Sequence, residues 1–250
     1  KEITMALIFL IYGLLIGSFL NVCICRIPSG ISIIKPPSSC GSCGHRLSLF
    51  KDMLPVINYI ANKGRCRYCG ATYSAQYPLI ELLNGILYVM LYLKYGLIIN
   101  TVLYCLTGSL LIVISLIDLK HKIIPDGLII TGLVLGIIFI ITDGMLFNRL
   151  AGAAIGLALF LGIALITNAM GGGDIKLMAV LGLIFGVKGI LFITLFAFVT
   201  GAIISLILLT LKIKSRKDEI PFGPFISLSA LIFMFYGIEI INLYIRMMSF

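Results

Sequence analysis

Two aspartates, each at the end of an apolar segment, are the residues best suited to hydrolytic chemistry. Asp118 ends the apolar run Ile114–Ile117, and Asp174 follows the glycines 171–173. A carboxylate at the edge of a membrane segment is costly and is therefore a functional candidate. Two carboxyl groups that share a site hold one proton between them, so one can activate water while the other polarises a peptide carbonyl. We predict that Asp118 and Asp174 form an aspartyl protease dyad, in which either residue could activate the water.

Simpler roles for both aspartates are also compatible with the sequence. Asp118 could be a helix-end residue that pairs with Lys120 or Lys122. Asp174 could cap a helix that begins at Ile175, because aspartate is a good N-cap residue. Capping and catalysis are compatible, so this role does not exclude the dyad.

The glycines before Asp174 also bear on function. Three glycines in a row are predicted to make an unstable helix start and to leave the backbone bare. A substrate strand could then pair with that backbone and lie across the aspartates. Two other aspartates are expected to be structural: Asp126, after Pro125, as a helix cap, and Asp143 as a loop residue.

A polar segment after the first apolar run carries four cysteines with the spacing of metal ligands. Cys40 pairs with Cys43 and Cys66 with Cys69 in two C-x-x-C motifs separated by 22 residues. Each motif presents two thiolates from one tight turn, and two motifs complete a tetrahedral zinc site. Two reduced or redox-active cysteine pairs are the alternative, and His45 could replace one ligand, although four cysteines suffice. With four thiolates the zinc would be structural, because no position stays open for water.

Other hydrolytic chemistries fit the sequence less well. The chain has two histidines and no H-E-x-x-H motif, so a zinc metalloprotease is unsupported. It also lacks the G-x-S-x-G motif of serine hydrolases. A serine triad would need His45 or His121, and no suitable serine is marked by its surroundings.

The composition is that of a membrane protein. Of the 250 residues, 60% are hydrophobic and 12% charged, about half the charged share of a soluble domain. The mean hydropathy is +1.16. A net charge of +9 could suggest nucleic acid, but the basic clusters carry no interleaved stacking aromatics, so we expect no nucleic-acid binding.

We predict an all-α polytopic membrane protein with about eight transmembrane helices and a small zinc-stapled cytoplasmic loop. The apolar region from Ile175 to Leu211 is too long for one crossing, and Gly186, Lys188 and Gly189 mark the predicted turn inside it. The first apolar run is expected to be a retained span, since it lacks the small-residue cleavage site of a signal peptide. Besides the two crossings within 175–211, the predicted spans are Met5–Ile24 (the first apolar run), Pro78 to just before Lys94, Leu97–Ile117, Gly127–Ile141, Leu150–Thr167 and Phe222–Tyr244.

The distribution of positive charge predicts the orientation. With the amino terminus outside, 14 of the 19 Lys and Arg residues fall on inside loops, in agreement with the positive-inside rule. The cysteine loop and both aspartates then face the cytoplasm. We divide the chain into a first span (1–24), the cysteine loop (25–77) and a helical protease core (78–250). The five outside residues are Lys1, Lys94, Arg149, Lys188 and Arg246.

Five segments, in order along nearly the whole chain, resemble the prepilin peptidase family, the type IV leader peptidases. The most specific is Gly171-Gly172-Gly173-Asp174, which resembles the G-x-G-D motif of that family. The others are Gly17 to Pro28, the cysteine loop with its exit through Tyr77-Pro78 to Glu81, Ile117-Asp118 through Pro125-Asp126, and Pro221-Phe222-Gly223-Pro224-Phe225.

The resemblance implies a substrate and a second activity. Substrates would be precursors of type IV pilins or pseudopilins, cut at the cytoplasmic face of the bacterial inner membrane after a short basic leader. Family members with the full cysteine loop also methylate the new amino terminus, with S-adenosylmethionine as donor. Asn21, Arg26 and Glu81 match family positions and are candidates for the methyl-donor site. Their alternative roles are helix ends, a lipid-headgroup contact for Arg26 and an interhelical hydrogen bond for Glu81.

The substrate cleft would be lined by the two glycine-containing motifs of the resemblance, Gly171 to Gly173 and Pro221, Phe222 and Gly223. Three other functions compete with this interpretation. A preflagellin-type peptidase would lack the cysteine loop, and a proton-relay transporter would place its carboxylates nearer the membrane midplane. A zinc-loop scaffold without catalysis would leave the glycines before Asp174 unexplained. The oligomeric state and the particular prepilin are not predicted.

Overall fold

The computed structural model describes residues 2–46, 59, 61–167, 170–215 and 218–248. These residues form helices, of which the first two are joined by the long cysteine loop and the others by short connections, and no strand occurs among the described residues apart from two isolated bridges near the cysteines. The predicted all-α class is therefore confirmed. The helices are α1 (Glu2–Arg26), α2 (Gln76–Tyr95), α3 (Ile99–His121), α4 (Asp126–Asp143), α5 (Leu146–Thr167), α6 (Gly172–Thr210), α7 (Gly223–Ile232), a π-helical turn (Phe233–Gly237) and α8 (Ile238–Met248).

Six helical segments within the described ranges are long and apolar enough to cross a membrane. They are α1, α3, α4, α5, α6 and the continuous stretch Gly223–Met248. The number differs from the predicted eight for two reasons. Helix α2 contains Glu81, Asn84 and Lys94 and is not among the six, and the two halves of α6 count as one segment.

Helix α6 nevertheless consists of two halves. Its 39 residues would extend about 58 Å, almost twice the hydrocarbon thickness. The helix is interrupted at Gly186, which has φ 69° and ψ −170°. Only glycine adopts this conformation readily, so the interruption is encoded by that residue. The turn predicted at Gly186 is confirmed, and the two halves account for part of the difference in helix number.

The chain divides into two compact units, the first ending at Ser109 and the second beginning at Leu110. In the first unit, α1 packs against α2. The Asn84 side-chain amide donates a 2.7 Å hydrogen bond to the Gly13 carbonyl, and the Phe9 and Tyr92 rings stack with centroids 4.8 Å apart. A polar bond inside an apolar helix pair fixes the relative register of the two helices.

In the second unit, α6 is the central element. It packs against α4, α5 and α7. The first half of α6 is largely buried, with Leu177, Met178 and Leu181 each at most 1% exposed. Because Asp174 lies in the first turn of this half, the packed helix determines where its carboxyl group sits.

Candidate functional site

Asp118 lies in the last turn of α3 and is 5% exposed. Its Oδ2 accepts a 2.8 Å hydrogen bond from the Gly223 backbone N–H, at the first residue of α7. The four N–H groups at the start of a helix have no partner within the helix and carry partial positive charge, so they suit a carboxylate. Asp118 is therefore held by α7, and Lys122 forms its ion pair with Glu219.

The approach of α7 to Asp118 requires glycine at position 223. A Cβ atom at Gly223 would lie 2.7 Å from Asp118 Oδ2, closer than such atoms come in proteins. The sequence had suggested Gly223 as a residue of the substrate cleft. In the structure it contacts the predicted catalytic carboxyl group directly.

Asp174 is the third residue of α6, which begins at Gly172 with Gly171 as its N-cap. The expectation that the three glycines prevent a helix start was wrong, because Gly172 and Gly173 are already helical. Asp174 is also not an N-cap, since the helix begins before it and no side-chain cap bond forms. Packing compensates for the low helix propensity of the glycines. A Cβ on Gly173 would lie 2.9 Å from Ile124 Cβ, so the first turn of α6 packs tightly against the segment after α3.

Both aspartates line one cavity of about 260 Å³. Its remaining walls are Gly171, Gly172, Gly173, Lys122, Ile123 and Ile124. The cavity is thus lined by two carboxyl groups and by a glycine backbone without side chains. Asp174 Oδ1 is buried and has no hydrogen-bond partner among the described residues. A cavity of this size and polar lining has room for a water molecule beside the carboxyl groups.

Two ion pairs lie near the cavity, and neither of them includes Asp118 or Asp174. Lys122 Nζ lies 3.3 Å from Glu219 Oε2, and Lys176 Nζ lies 2.6 Å from Asp126 Oδ1. The role of cap predicted for Asp126 was wrong: Pro125 is the N-cap of α4, and Asp126 makes no capping bond. Its ion pair with Lys176 instead links the start of α4 to the first turns of α6.

The remaining predicted cleft residues lie beside an aromatic cluster. The Phe222 ring has centroid distances of 5.2 Å to Phe198 and 6.0 Å to both Phe160 and Phe225. Neither Phe222 nor Pro221 is among the residues that line the cavity. This cluster anchors the chain just before α7 and thereby places the N–H of the next residue against Asp118. A substrate contact for Pro221 and Phe222 stays a prediction.

The four cysteines form a separate centre in the first unit. Their sulfur atoms all lie within 4.8 Å of one another, and the Sγ atoms of Cys40 and Cys69 are 3.9 Å apart. The two motifs have the same construction. In each, the first cysteine carbonyl accepts a 2.9 Å hydrogen bond from the glycine four residues later, Gly44 or Gly70.

This sulfur arrangement fits zinc. Tetrahedral zinc with Zn–S bonds of about 2.3 Å keeps its sulfurs about 3.8 Å apart. A hydrogen bond from the Tyr73 side chain and bonds from the Cys69 and Tyr68 backbone lower the pKa of Cys66 to about 6, whereas burial and the other three thiols raise the pKa of Cys69 to about 12. The fit to zinc therefore rests on the positions of the four sulfur atoms. His45 is not among the four clustered ligands, because its ring packs on Tyr68 with centroids 3.6 Å apart.

The three methyl-donor candidates lie around the end of α1. Asn21 is buried and donates through Nδ2 to the carbonyls of Gly17 (3.3 Å) and Tyr77 (3.1 Å), while its Oδ1 has no partner among the described residues. Glu81 is fully buried in α2. Arg26 Nη1 donates to the carbonyls of Ser32 (3.0 Å) and Pro36 (2.7 Å) and so shapes the loop after α1.

Comparison with known proteins gives consistent results. A model described as the bacterial peptidase A24 N-terminal domain matches residues 11–95, and the model of the type IV leader peptidase family matches residues 105–206. The chain is 33% identical to a prepilin leader peptidase/N-methyltransferase of Bacillus subtilis, over 96% of this chain and 98% of the relative. The chain belongs to the type IV leader peptidase family.

Other similar members of the family come from distant bacteria. Proteins with the same name from Legionella pneumophila and Pseudomonas aeruginosa are 32% and 30% identical, over 96% of this chain and 94% and 93% of theirs. No solved structure matches the chain. The family predicted from the five segments is confirmed, and with the six apolar helices it identifies a multi-pass membrane enzyme.

In this leader peptidase, sequence reasoning missed several polar residues that the fold buries. Ser109 Oγ donates to Asn84 Oδ1 (2.8 Å) and bonds to the Tyr88 hydroxyl (3.0 Å), which completes a polar network inside the first unit. Arg149 was assigned to an outside loop but is buried, and Asp143 is the last residue of α4 rather than a loop residue. Ser109 lies inside a predicted span, where a polar residue is the signal that could have marked it. Asp143 and Arg149 lie just outside the predicted spans and carried no such signal.

Proposed function

We propose that the chain removes the short basic leader from type IV prepilins or pseudopilins, with Asp118 and Asp174 as the catalytic dyad. The observation that carries this proposal is that both carboxyl groups line one cavity, next to the bare backbone of residues 171–173. Membership of the type IV leader peptidase family supports the same reaction. The charge distribution supports a site at the cytoplasmic face of the inner membrane.

The two carboxyl groups differ in their hydrogen bonding, which supports different roles. One oxygen of Asp118 is occupied by the Gly223 N–H, whereas Asp174 Oδ1 is buried without a partner among the described residues. We assign the water to Asp118, whose carboxylate is stabilised by the Gly223 N–H and takes a proton as the water oxygen bonds to the scissile carbonyl carbon. Protonated Asp174 hydrogen-bonds to the carbonyl oxygen and stabilises the tetrahedral intermediate. When the C–N bond breaks, the leaving amine takes the proton from Asp118.

We also propose that the chain methylates the amino group exposed by cleavage. S-adenosylmethionine would supply the methyl group. Asn21 Oδ1, buried and without a partner among the described residues, and the fully buried Glu81 are suited to hold polar groups of the donor or of the new amino terminus. Arg26 would act through the loop that it fixes by its two carbonyl contacts.

Structural zinc on Cys40, Cys43, Cys66 and Cys69 completes the proposal. A loop of about fifty residues is too small to bury a sufficient core, so a metal would supply the missing stabilisation. The division into a first span (1–24), a zinc loop (25–77) and a protease core (78–250) stays a prediction, as do the substrate contacts of Pro221 and Phe222.

Mass spectrometry of a type IV prepilin incubated with the purified protein and S-adenosylmethionine tests both activities. We expect loss of the leader and a gain of one methyl group on the new amino terminus. Cleavage without methylation would support the proposed dyad and contradict the proposed methyltransferase activity. If several prepilins all remain intact, the proposed protease function is wrong.

A Gly223→Ala substitution tests the hydrogen bond to Asp118. The added methyl group would lie 2.7 Å from Asp118 Oδ2, so either the carboxyl group or the start of α7 must move. A displacement of about 1 Å in a catalytic group can lower the rate about 100-fold. We therefore expect kcat for prepilin cleavage to fall by about 10- to 100-fold. Gly127→Ala, whose added methyl group would meet nothing within 4 Å, is the matched control and should retain wild-type kcat. Wild-type kcat in Gly223→Ala would contradict this role.

A further inference from the structure

Arg149 is a buried cation far from the chemistry described above. It lies in the first turn of α5 and is 7% exposed. A charged side chain buried in a membrane helix is expensive and usually has a function. Neither the cavity nor the proposed reaction uses it.

The guanidinium of Arg149 joins two kinds of partner. On one side, Nε lies 3.0 Å from both carboxyl oxygens of Asp143, at the end of α4, and Nη2 also bonds to Asp143 Oδ2. On the other side, Nη1 donates to the carbonyls of Leu183 (3.0 Å) and Ile184 in α6. The guanidinium also lies over the Phe139 ring, 4.9 Å from its centroid. The Asp143 carboxylate neutralises the charge of the Arg149 guanidinium, and Nη1 of the same group donates hydrogen bonds to α6.

These two carbonyls stand at the break in α6. Because Gly186 leaves the helical conformation, these carbonyls lie at the end of the first half, and the last carbonyls of a helix generally have no N–H partner within it. Arg149 donates to them, and a cation also suits the negative end of a helix. The preceding residue, Asn148, acts on the other side of the break, where its Oδ1 accepts a 3.4 Å hydrogen bond from the Val187 N–H. Together, Arg149, Asn148 and Asp143 clamp the break, and we refer to them as the clamp.

The half-helix held by the clamp carries Asp174 at its opposite end. Residues 174 and 185 are about 17 Å apart along a straight helix. This half also lies close to α5: a Cβ on Gly182 would lie 2.2 Å from the Gly152 carbonyl oxygen, so no side chain separates the two helices there. A shift at the clamped end would therefore be transmitted to Asp174 rather than absorbed by side chains.

We propose that Arg149 is a positioning residue for the catalytic dyad, which it serves by fixing the axial position and rotation of the half-helix that bears Asp174. This inference rests on the proposed protease function. Without the Arg149 donors, the first half of α6 can slide or rotate, and Asp174 leaves its place opposite Asp118 in the cavity. Substrate binding would change little, because the glycine backbone and the cavity walls from residues 122–124 are still present.

The test measures kcat and KM for prepilin cleavage by purified Arg149→Gln, Arg149→Lys and Asp143→Asn, together with the thermal unfolding midpoint of each. We expect kcat to fall at least about 10-fold in Arg149→Gln, with KM within about twofold of wild type. Arg149→Lys keeps the charge and one donor group, so it should recover part of the lost kcat. In Asp143→Asn, Arg149 loses its counter-ion, and an intermediate kcat is expected.

Lys188→Gln is the matched control, since Lys188 is an exposed cation two residues beyond the break. It should cleave with wild-type kcat. A purely structural role would lower the unfolding midpoint of the Arg149 variants while their folded fraction cleaves at the wild-type kcat, and that result would overturn the proposal. If all three clamp variants fail to fold, the clamp is required for folding, and that result would also overturn the proposal. If the wild-type protein itself cleaves no prepilin, the proposed function has failed rather than the clamp.

Discussion

Replacement of either Asp118 or Asp174 by asparagine is expected to abolish prepilin cleavage. Asparagine has nearly the same size and can still accept the hydrogen bond from Gly223, but it can neither take a proton from water nor give one to the leaving amine. Loss of a general acid or base typically lowers the rate by about 10²- to 10⁴-fold. Leader removal, followed by mass spectrometry over time with equal amounts of folded protein, measures the effect.

The control for these variants is Asp218→Asn, an exposed aspartate whose Oδ2 accepts a 2.7 Å hydrogen bond from the Ser215 N–H. It should cleave at the wild-type rate. Zinc content and the thermal unfolding midpoint should be unchanged in both dyad variants, because the substitutions conserve shape. Cleavage at more than about a tenth of the wild-type rate in either dyad variant would contradict the dyad.

Cys43→Ser is expected to eliminate zinc binding and methylation together. A neutral serine hydroxyl is a much poorer zinc ligand than a thiolate, and three sulfurs cannot complete the closed site. The loop would then lose the metal that stabilises it. We expect the zinc content to fall from about one ion per chain to near zero, measured by atomic emission of the purified protein, and methyl transfer to a cleaved pilin to fall below detection.

Cleavage should persist in Cys43→Ser, because the dyad belongs to the second unit of the chain. Cys25→Ser is the control, since Cys25 is also exposed but lies outside the four-sulfur cluster. Its zinc content and both activities should match the wild type. Full zinc content in Cys43→Ser would contradict the four-cysteine site, and full methylation without zinc would separate the transferase from the metal.

The sequence alone determined the parts of this protein that depend on local pattern. Apolar runs of about 20 residues have one stable solution in a bilayer, so the helices and the turn at Gly186 could be predicted. The C-x-x-C spacing places two sulfurs on one turn, and the structure brings all four sulfurs within 4.8 Å as that pattern indicates. The candidacy of Asp118 and Asp174 follows from the cost of a carboxylate at the edge of a membrane segment.

Predictions from local pattern were wrong where a contact with a distant segment outweighs a local preference. Three glycines are a poor helix start in isolation, yet α6 begins at Gly172 because Gly173 packs against Ile124. Asp126, a good capping residue by type, instead pairs with Lys176, fifty residues away. Propensity describes a segment by itself, whereas packing and ion pairing depend on what the fold places beside it.

Tertiary structure alone decided which groups meet. Nothing in the sequence pairs Asp118 with an N–H 105 residues later, or Arg149 with carbonyls 34 and 35 residues later. The physical reason is that unpaired backbone groups at helix ends and breaks must find partners wherever the fold supplies them. The sequence determined which residues could do chemistry, and the packing of α6 against α5 and the hydrogen bond from the start of α7 to Asp118 determined where their atoms lie.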